Sequence, residues 1–489
     1  MQNSHSDVLK KDFMETQKFD LIIMGGGLAG LSAGVRACEL GLSVALVEKG
    51  ETDTYPCNSR FSGGVLHLAF QNIKDPSDQL ADAIAKATDH YADTELVLAL
   101  SSQSQRCVTW LQKHGARFIR AGQVVWQQWI MAPPRPIAPG MDWKGRGPDV
   151  TLRALMENFR KKGGQVFLGW QVTDFLSDGQ RCLGFKATHR GQEKRFESSA
   201  TLVADGGFQA NLDMLKQHIA PQPHQVLQRG AGNAMGDGMR LAQSMGAATS
   251  SLDAFYGHLL CQQAFSNPKL WPYPQLDELA TSGVVVNQQA LRVIDEGRGG
   301  VYIANQLAHR DNPLDCHVIF DQAIWDGPGK TSRIPANPLL LSAGATLLKG
   351  DTLAELAQKM GLPATALTQT IGQYNQAVQN HQTTELNPPR SHHKLTPMPV
   401  VKAPFYALPL CAGITYTTGG LLIDSQARVL RDNKAPIQGL YAAGSVVGGI
   451  EGGPSASYVG GLMKALVLGI LAAEDVANVK ALELSQTSS

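Results

Sequence analysis

Three glycines, Gly25, Gly27 and Gly30, stand at the spacing G-x-G-x-x-G, and an acid, Glu48, follows eighteen residues after the last of them. That pattern suits phosphate chemistry done by backbone. The first glycine permits a tight turn, the second lets a pyrophosphate approach the main chain, and the third lets a helix pack closely on a strand. Leu28 and Ala29 fill the space between the second and third glycines, where free N–H groups at a helix N-terminus face the phosphates. Glu48 can accept hydrogen bonds from ribose hydroxyls. Such a site needs a strand, a turn, a helix and a second strand to position it. Residues 19–24 form an apolar run that reads as a buried parallel strand, 31–37 read as a helix, and 43–47 as the second strand ending at Glu48. A dinucleotide site is expected, and the fingerprint alone does not separate NAD from FAD.

Further glycine-marked segments follow in order. They are Cys57-Asn58-Ser59-Arg60-Phe61-Ser62-Gly63-Gly64, Ala204-Asp205-Gly206-Gly207-Phe208, Gly236-Asp237-Gly238, and Ala442-Ala443-Gly444-Ser445. Together they resemble the FAD-dependent fumarate reductase/succinate dehydrogenase flavoprotein superfamily, in its soluble tricarballylate dehydrogenase and ketosteroid dehydrogenase-like branch, over about residues 18–475. The resemblance implies an α/β fold: a Rossmann-like FAD-binding domain of the glutathione reductase type with an inserted α+β capping domain. The implied boundaries are 18–255 and 400–477 for the FAD-binding domain and 256–399 for the cap, with flexible ends at 1–17 and 478–489. Helices are expected at 149–162, 352–360 and 363–380, and a strand at 165–168. To the fingerprint residues the resemblance adds Lys49, Asn58, Ser59, Ser62, Gly63, Gly64, Val172, Asp205, Gly206, Asp237, Gly444, Ser445, Gly461, Leu462 and Met463 as FAD-binding positions. Ser445 stands where family members commonly carry Glu. No His occurs between Glu48 and His67, so the FAD is expected to be non-covalent.

Chemistry on a saturated C–C bond needs a hydride partner, a proton acceptor or donor, and a group that polarises a neighbouring carbonyl or carboxylate. The resemblance points to Tyr416, in Thr415-Tyr416-Thr417-Thr418-Gly419-Gly420, where fumarate reductases have His. It also points to Tyr458, in Ser457-Tyr458-Val459-Gly460-Gly461, where they have Arg. A phenol donates one hydrogen bond but does not neutralise a carboxylate as Arg does. The exchange therefore favours a ketone or a less charged acid, unless both tyrosines only pack. Arg298 and Arg310 are both candidates for the family's cap arginine, and each could equally be a surface ion pair. His258 falls near the family's substrate His, or is structural. Trp126, Trp129 and Trp143, in a Pro-rich stretch, either wall an apolar pocket or pack their loop.

The 489 residues are 43% hydrophobic and 17% charged, an ordinary globular composition that excludes disorder for most of the chain. Lys+Arg 43 against Asp+Glu 42 gives a net charge of +1, which argues against nucleic acid as a partner. The seven cysteines are scattered with no C-x-x-C pair, so no metal or iron–sulfur site can be built from them and a cytoplasmic setting is expected. The first seventeen residues lack an apolar core, so no signal peptide is expected, and no ~18-residue apolar run predicts a membrane span. No second dinucleotide fingerprint marks a site for NAD(P)H. Three readings stand. The first is an FAD-dependent dehydrogenase or ene-reductase with a small-molecule substrate and an unidentified electron acceptor or donor. The second is an amino-acid oxidase of the aspartate oxidase type, supported by Arg310-Asp311. The third is a non-catalytic flavin electron-transfer protein.

Overall fold

The computed structural model describes residues 16–392 and 396–487. Its first sheet begins with β1 (Thr16–Met24), β2 (Val44–Glu48), β3 (Gln165–Leu168), β4 (Gln171–Ser177), β5 (Cys182–His189) and β6 (Gln192–Val203). β1 lies in parallel between β2 and β6, with Leu21 opposite Val44 and Ile22 opposite Thr201. β3 extends the parallel order beyond β2, and β4 and β5 fold back antiparallel on β6. The turn after β1 feeds α1 (Leu28–Glu39), and α2 (Gly147–Lys161) leads into β3. Leu21, Ile22 and Ile23 are fully buried: Leu21 and Ile23 lie in a core with α1 on one face, and Ile22 packs on the other face with Val172 of β4, Phe185 of β5 and Phe196 of β6.

The chain then builds a second, mainly antiparallel sheet from β7 (Leu227–Gln228), β8 (Phe255–Cys261), β9 (Val284–Val286), β10 (His317–Asp321), β11 (Leu348–Gly350) and β12 (Phe405–Thr417). β12 is its spine, pairing with β7, β8, β10 and β11. The helices α3 (Asp237–Ser244), α4 (Asp277–Ser282) and α5 (Gly300–Ala308) fall between these strands. The chain returns to the first sheet as β13 (Arg428–Leu430) and β14 (Pro436–Ala442), the latter parallel to β6, and ends in α6 (Gly461–Thr487).

This pairing moves two of the expected boundaries. The return to the first sheet comes after Thr417, not at about 400, because β12 is hydrogen-bonded into the second sheet along its length. β7, before residue 256, belongs to the second sheet as well. In the C-terminal segment 478–489, α6 continues up to Thr487. At the N-terminus, Thr16 and Gln17 open β1 and the rest of that stretch lies outside the described residues. The helices expected at 149–162, 352–360 and 363–380 are found at Gly147–Lys161, Leu353–Met360 and Ala364–Gln379. Among the described residues no helix is long and apolar enough to cross a membrane.

Close approach sets the sequence at the β1–α1 turn. A Cβ on Gly30 would lie 2.0 Å from the Gly25 carbonyl oxygen and 3.1 Å from the Ile23 side chain. Behind α1, a Cβ on Gly469 of α6 would lie 2.4 Å from the Ala29 carbonyl oxygen, so the two helices meet backbone to backbone. Gly30→Ala must therefore open the turn. We expect a cost of about 1–3 kcal/mol or more, seen as a lower midpoint in thermal unfolding followed by circular dichroism. An unchanged midpoint would show that the turn is not closed as described.

Candidate active site

A single cavity of about 740 Å³ runs from the β1–α1 turn to the edge of the second sheet. At its first end the carboxyl ends of β1 and β2 meet the N-terminus of α1. Glu48, 6% exposed, accepts hydrogen bonds from the Gly26 N–H and the Gly50 N–H, both at 2.8 Å. Ser59 Oγ accepts from the Leu28 N–H at 3.1 Å, at the first turn of α1. The Asn58 amide donates to the Thr415 carbonyl at 2.7 Å and accepts from the Ala231 N–H at 2.8 Å, tying this lip to the second sheet. Asp205 accepts from the Gly238 N–H at 2.8 Å, and its other oxygen is buried with no hydrogen-bond partner. Burial pushes the Asp205 carboxyl up to about 7, against the opposing pull of that N–H and of Lys49. Farther along, Gly461 and Leu462 bring the N-terminus of α6 to the wall.

The other end is walled by aromatic and charged side chains. Register places Tyr256 of β8 opposite Tyr416 of β12, and Tyr458 stacks on Tyr256 with ring centroids 3.9 Å apart. The Tyr416 hydroxyl donates to Glu451, 3.1 Å from either carboxylate oxygen. Glu451 also accepts from Lys464 Nζ at 2.7 Å, the Val459 N–H at 3.0 Å and the Gly460 N–H at 3.2 Å. Burial, reinforced by Glu451, raises Tyr416 well above the usual phenol range, so it keeps its proton and spends it on Glu451. Tyr458 is also raised well above that range by burial, and its oxygen is backed by the Gly461 N–H. Its own proton is thus left for the cavity. Tyr256 is pushed up to about 12 by burial, and its hydroxyl lies 3.0 Å from His258 Nε2. On the other side of that ring, Nδ1 lies 2.6 Å from Asp277 of α4.

Three guanidiniums enter this end from three loops. Arg229 is 7% exposed and donates to Thr415 Oγ1 at 2.6 Å, while its Nε is buried without a partner. Arg135 donates to the Tyr273 hydroxyl at 2.9 Å and the Phe61 carbonyl at 2.7 Å, and its Nε is also buried and unpartnered. Arg333 lies over the Trp126 ring, 3.9 Å from its centroid. Burial alone would raise Tyr273, but Arg135, then Arg333 and Arg229, outweigh it and bring the phenol below its ordinary value. His67 also lines the cavity, and burial drives its imidazole down to about 3.

The chain matches the FAD binding domain family over residues 20–456. It belongs to that family. Relatives of this FAD-binding chain include the NADH:acrylate oxidoreductase of Vibrio harveyi, 27% identical over 89% of this chain, which spans 48% of that protein's length. The cytochrome-type fumarate reductase of Shewanella frigidimarina is 24% identical over 94% of this chain and 77% of its own length. The 3-ketosteroid delta1-dehydrogenase of Sterolibacterium denitrificans shares the fold, with a TM-score of 0.71 at 20% identity over 94% of this chain and 100% of its own. The family match and these relatives support FAD as the cofactor of this chain, and its cavity fits that cofactor. Two helix N-termini, those of α1 and α6, point into it and favour phosphate and other electron-rich groups. Between them Gly27 has nothing nearer its missing Cβ than Ser59 Oγ at 3.5 Å, and Asp205 offers a buried, unpaired acceptor.

Of the positions expected to hold FAD, Gly25, Gly27, Leu28, Ala29, Glu48, Lys49, Asn58, Ser59, Ser62, Gly63, Gly64, Val172, Asp205, Gly206, Asp237, Gly444, Ser445, Gly461 and Leu462 line the cavity. Gly30 sits behind the turn and Met463 is buried in the core, so neither reaches it. Tyr416, Tyr458 and His258 line it, whereas Arg298 and Arg310 do not. Arg298 donates to Ser455 Oγ at 2.8 Å and lies over Tyr302, and Arg310 pairs with Asp315 at 2.7 Å. The Arg310-Asp311 support for an amino-acid oxidase therefore lies away from the cavity. Trp126 is a wall residue, while Trp129 donates to Asn72 and Trp143 packs on Phe61. Arg135, Arg229, Arg333, Tyr256, Asp277 and Glu451 carry no motif that singles them out.

Burial alone would raise Glu451, but Lys464 and the two backbone N–H groups outweigh it and hold the carboxyl below its ordinary range. A carboxyl whose folded pKa is depressed contributes stability above its unfolded value of about 4.3, and that contribution fades as pH falls through the folded value. Glu451→Gln leaves Lys464 buried without its counter-charge, at a cost of ~3–5 kcal/mol. Urea midpoints should show this loss at neutral pH and a smaller one in acid. Equal loss at both would rule out the ionised pair as its source.

Proposed function

We propose that this flavoprotein dehydrogenates, or in reverse reduces, a C–C bond next to a carboxylate or ketone carbonyl, with its FAD held non-covalently. The observation that carries the reading is the continuity of one cavity from the dinucleotide cradle to a chamber of phenols, a His–Asp pair and guanidiniums. Bound in the cradle, FAD supplies a two-electron hydride acceptor or donor. The chain's own part is to hold and polarise the substrate and to move a proton. Tyr458, backed by the Gly461 N–H, has its proton free to donate to a carbonyl oxygen. The guanidiniums of Arg135, Arg229 and Arg333, which line the cavity, suit a carboxylate.

These arginines change one inference drawn from the tyrosines. Replacing His and Arg by two phenols argues against a charged acid only if no other cation is near, and three guanidiniums are near. A substrate carboxylate is therefore favoured at the arginine end, with the carbonyl or carboxylate oxygen next to the reacting bond at Tyr458. The relatives named above act on acrylate, on fumarate and on a ketosteroid, which spans both options. A cytoplasmic setting with a small-molecule substrate and a separate electron donor or acceptor belongs to the same reading, supported by seven cysteines that are all free thiols.

The test is anaerobic spectrophotometry of the yellow protein with saturated and unsaturated carboxylates, cyclic ketones and ketosteroids. At least one saturated compound should bleach the flavin, or one unsaturated compound should restore it after chemical reduction. The flavin should come off in acid. Gly27→Ala should fold yet purify without FAD, since its methyl meets only Ser59 within the protein but blocks the pyrophosphate. Tyr458→Phe should keep FAD and lose ~10²–10³-fold in kcat. Wild-type turnover by that variant would remove Tyr458 from the mechanism.

A further inference from the structure

We propose that Tyr256 exchanges the proton with the substrate carbon and that His258 and Asp277 stand behind it as a relay; this rests on the functional reading above. Tyr256 and His258 flank an irregularity in β8 after Tyr256, and both side chains line the cavity and meet there. Asp277 fixes the imidazole. One carboxylate oxygen accepts from the Leu259 N–H at 2.8 Å, and the other faces His258 Nδ1 at 2.6 Å. With Nδ1 donating to Asp277, Nε2 carries the lone pair and accepts from the Tyr256 hydroxyl at 3.0 Å. The order Asp–His–OH is that of a hydroxyl activated by a general base.

The alternatives in the same chamber lack a base free to take up a proton. The Tyr416 proton is held by Glu451, which Lys464 and two backbone N–H groups keep ionised. The Tyr458 oxygen is backed by a backbone N–H, which can strengthen a donor but cannot receive a proton. Guanidiniums are too weakly acidic to exchange protons near neutral pH. Tyr256 alone among these phenols has an imidazole behind it; the acceptor behind Tyr416 is a carboxylate whose proton affinity Lys464 and two backbone N–H groups lower.

In the dehydrogenation direction, the C–H bond next to the carbonyl breaks and its proton passes to the Tyr256 oxygen. The proton already on that oxygen passes to His258 Nε2, and Asp277 stays ionised to hold the imidazolium. The C–C double bond forms from the released electron pair as the second hydrogen leaves with its own pair, as hydride, to the flavin. Reduction runs the same transfers backwards.

His258 must be neutral to accept. The charged groups that face it are Asp277 on α4, Arg229 after β7 and Arg333 in its loop, and its other neighbour is Tyr256 on its own strand. Burial, aided by the two arginines, outweighs Asp277 and holds the imidazole below its ordinary value of 6.5. The dehydrogenation rate is thus level near neutrality and falls as pH drops through that lowered value.

The experiment pairs histidine-selective nitrogen-15 NMR titration of the holoprotein with kcat and KM against pH for the compound that bleaches the flavin. A histidine signal titrating below 6.5 should vanish in His258→Gln and shift to still lower pH in Asp277→Asn, with the acid limb of kcat moving alongside it. Tyr256→Phe should retain FAD and near-normal KM and lose ~10²–10⁴-fold in kcat. Wild-type kcat in Tyr256→Phe, or a histidine titration and acid limb unmoved by Asp277→Asn, overturns the relay while bleaching by wild type leaves the functional reading intact. A wild-type flavin that no compound bleaches overturns that reading, and the relay's role with it.

Discussion

One buried carboxylate joins the two halves of this molecule. Glu451 receives Lys464 from α6, Tyr416 from β12 and the main chain of Val459 and Gly460. β12 is the spine of the second sheet, and α6 packs on α1 at the cofactor turn. The ion pair is therefore a pin at which cofactor half and substrate half keep register. A charge this deep costs several kcal/mol unless its lone pairs are met, and four donors meet it here. Its hold on residues 459–460 also sets the neighbouring Tyr458 flat against Tyr256.

The first sheet was legible because its signals are local. A strand of apolar residues, a glycine turn and a helix of small and apolar residues declare themselves within thirty residues, and β1, α1, β2 and β3 lie where sequence pattern and turn chemistry put them. The second sheet was not, because strand pairing is non-local. β12 reads as one more apolar run, and nothing within it says that its partners are β8 and β10 and not β14. The polar tract before it resembles a linker, yet Arg390 is fully buried there and donates to the Thr281 carbonyl of α4 at 2.8 Å. Side-chain length, invisible to hydropathy, turns that linker into packing.

The same division runs through the site. Phosphate recognition by backbone demands glycine at fixed spacing, so the cofactor positions could be read one after another. The guanidiniums could not. Arg135, Arg229 and Arg333 reach the chamber from three loops by the length of their side chains, and their sequence neighbourhoods look like those of solvated arginines. Arg298 and Arg310 sit in more suggestive surroundings, but Ser455, Tyr302 and Asp315 occupy them. The two tyrosines were found by motif, while their different roles depend on what lies behind each oxygen: a carboxylate for Tyr416, a backbone N–H for Tyr458.

A net charge of +1 over the whole chain conceals a strong local imbalance. Three guanidiniums face a chamber whose wall carboxylates at that end are Asp277, already bonded to His258, and Glu278, whose proton affinity burial raises. Such a chamber favours an anion, because charges at the wall of a protein cavity are screened less than charges in bulk water. The same field acts on the protein's own groups. It pulls the Tyr273 phenol below its ordinary value and helps burial to keep His258 neutral. On the proposed reading, one arrangement of charge serves two ends. The arginines that hold a substrate carboxylate also keep the imidazole in the form that can take a proton from Tyr256.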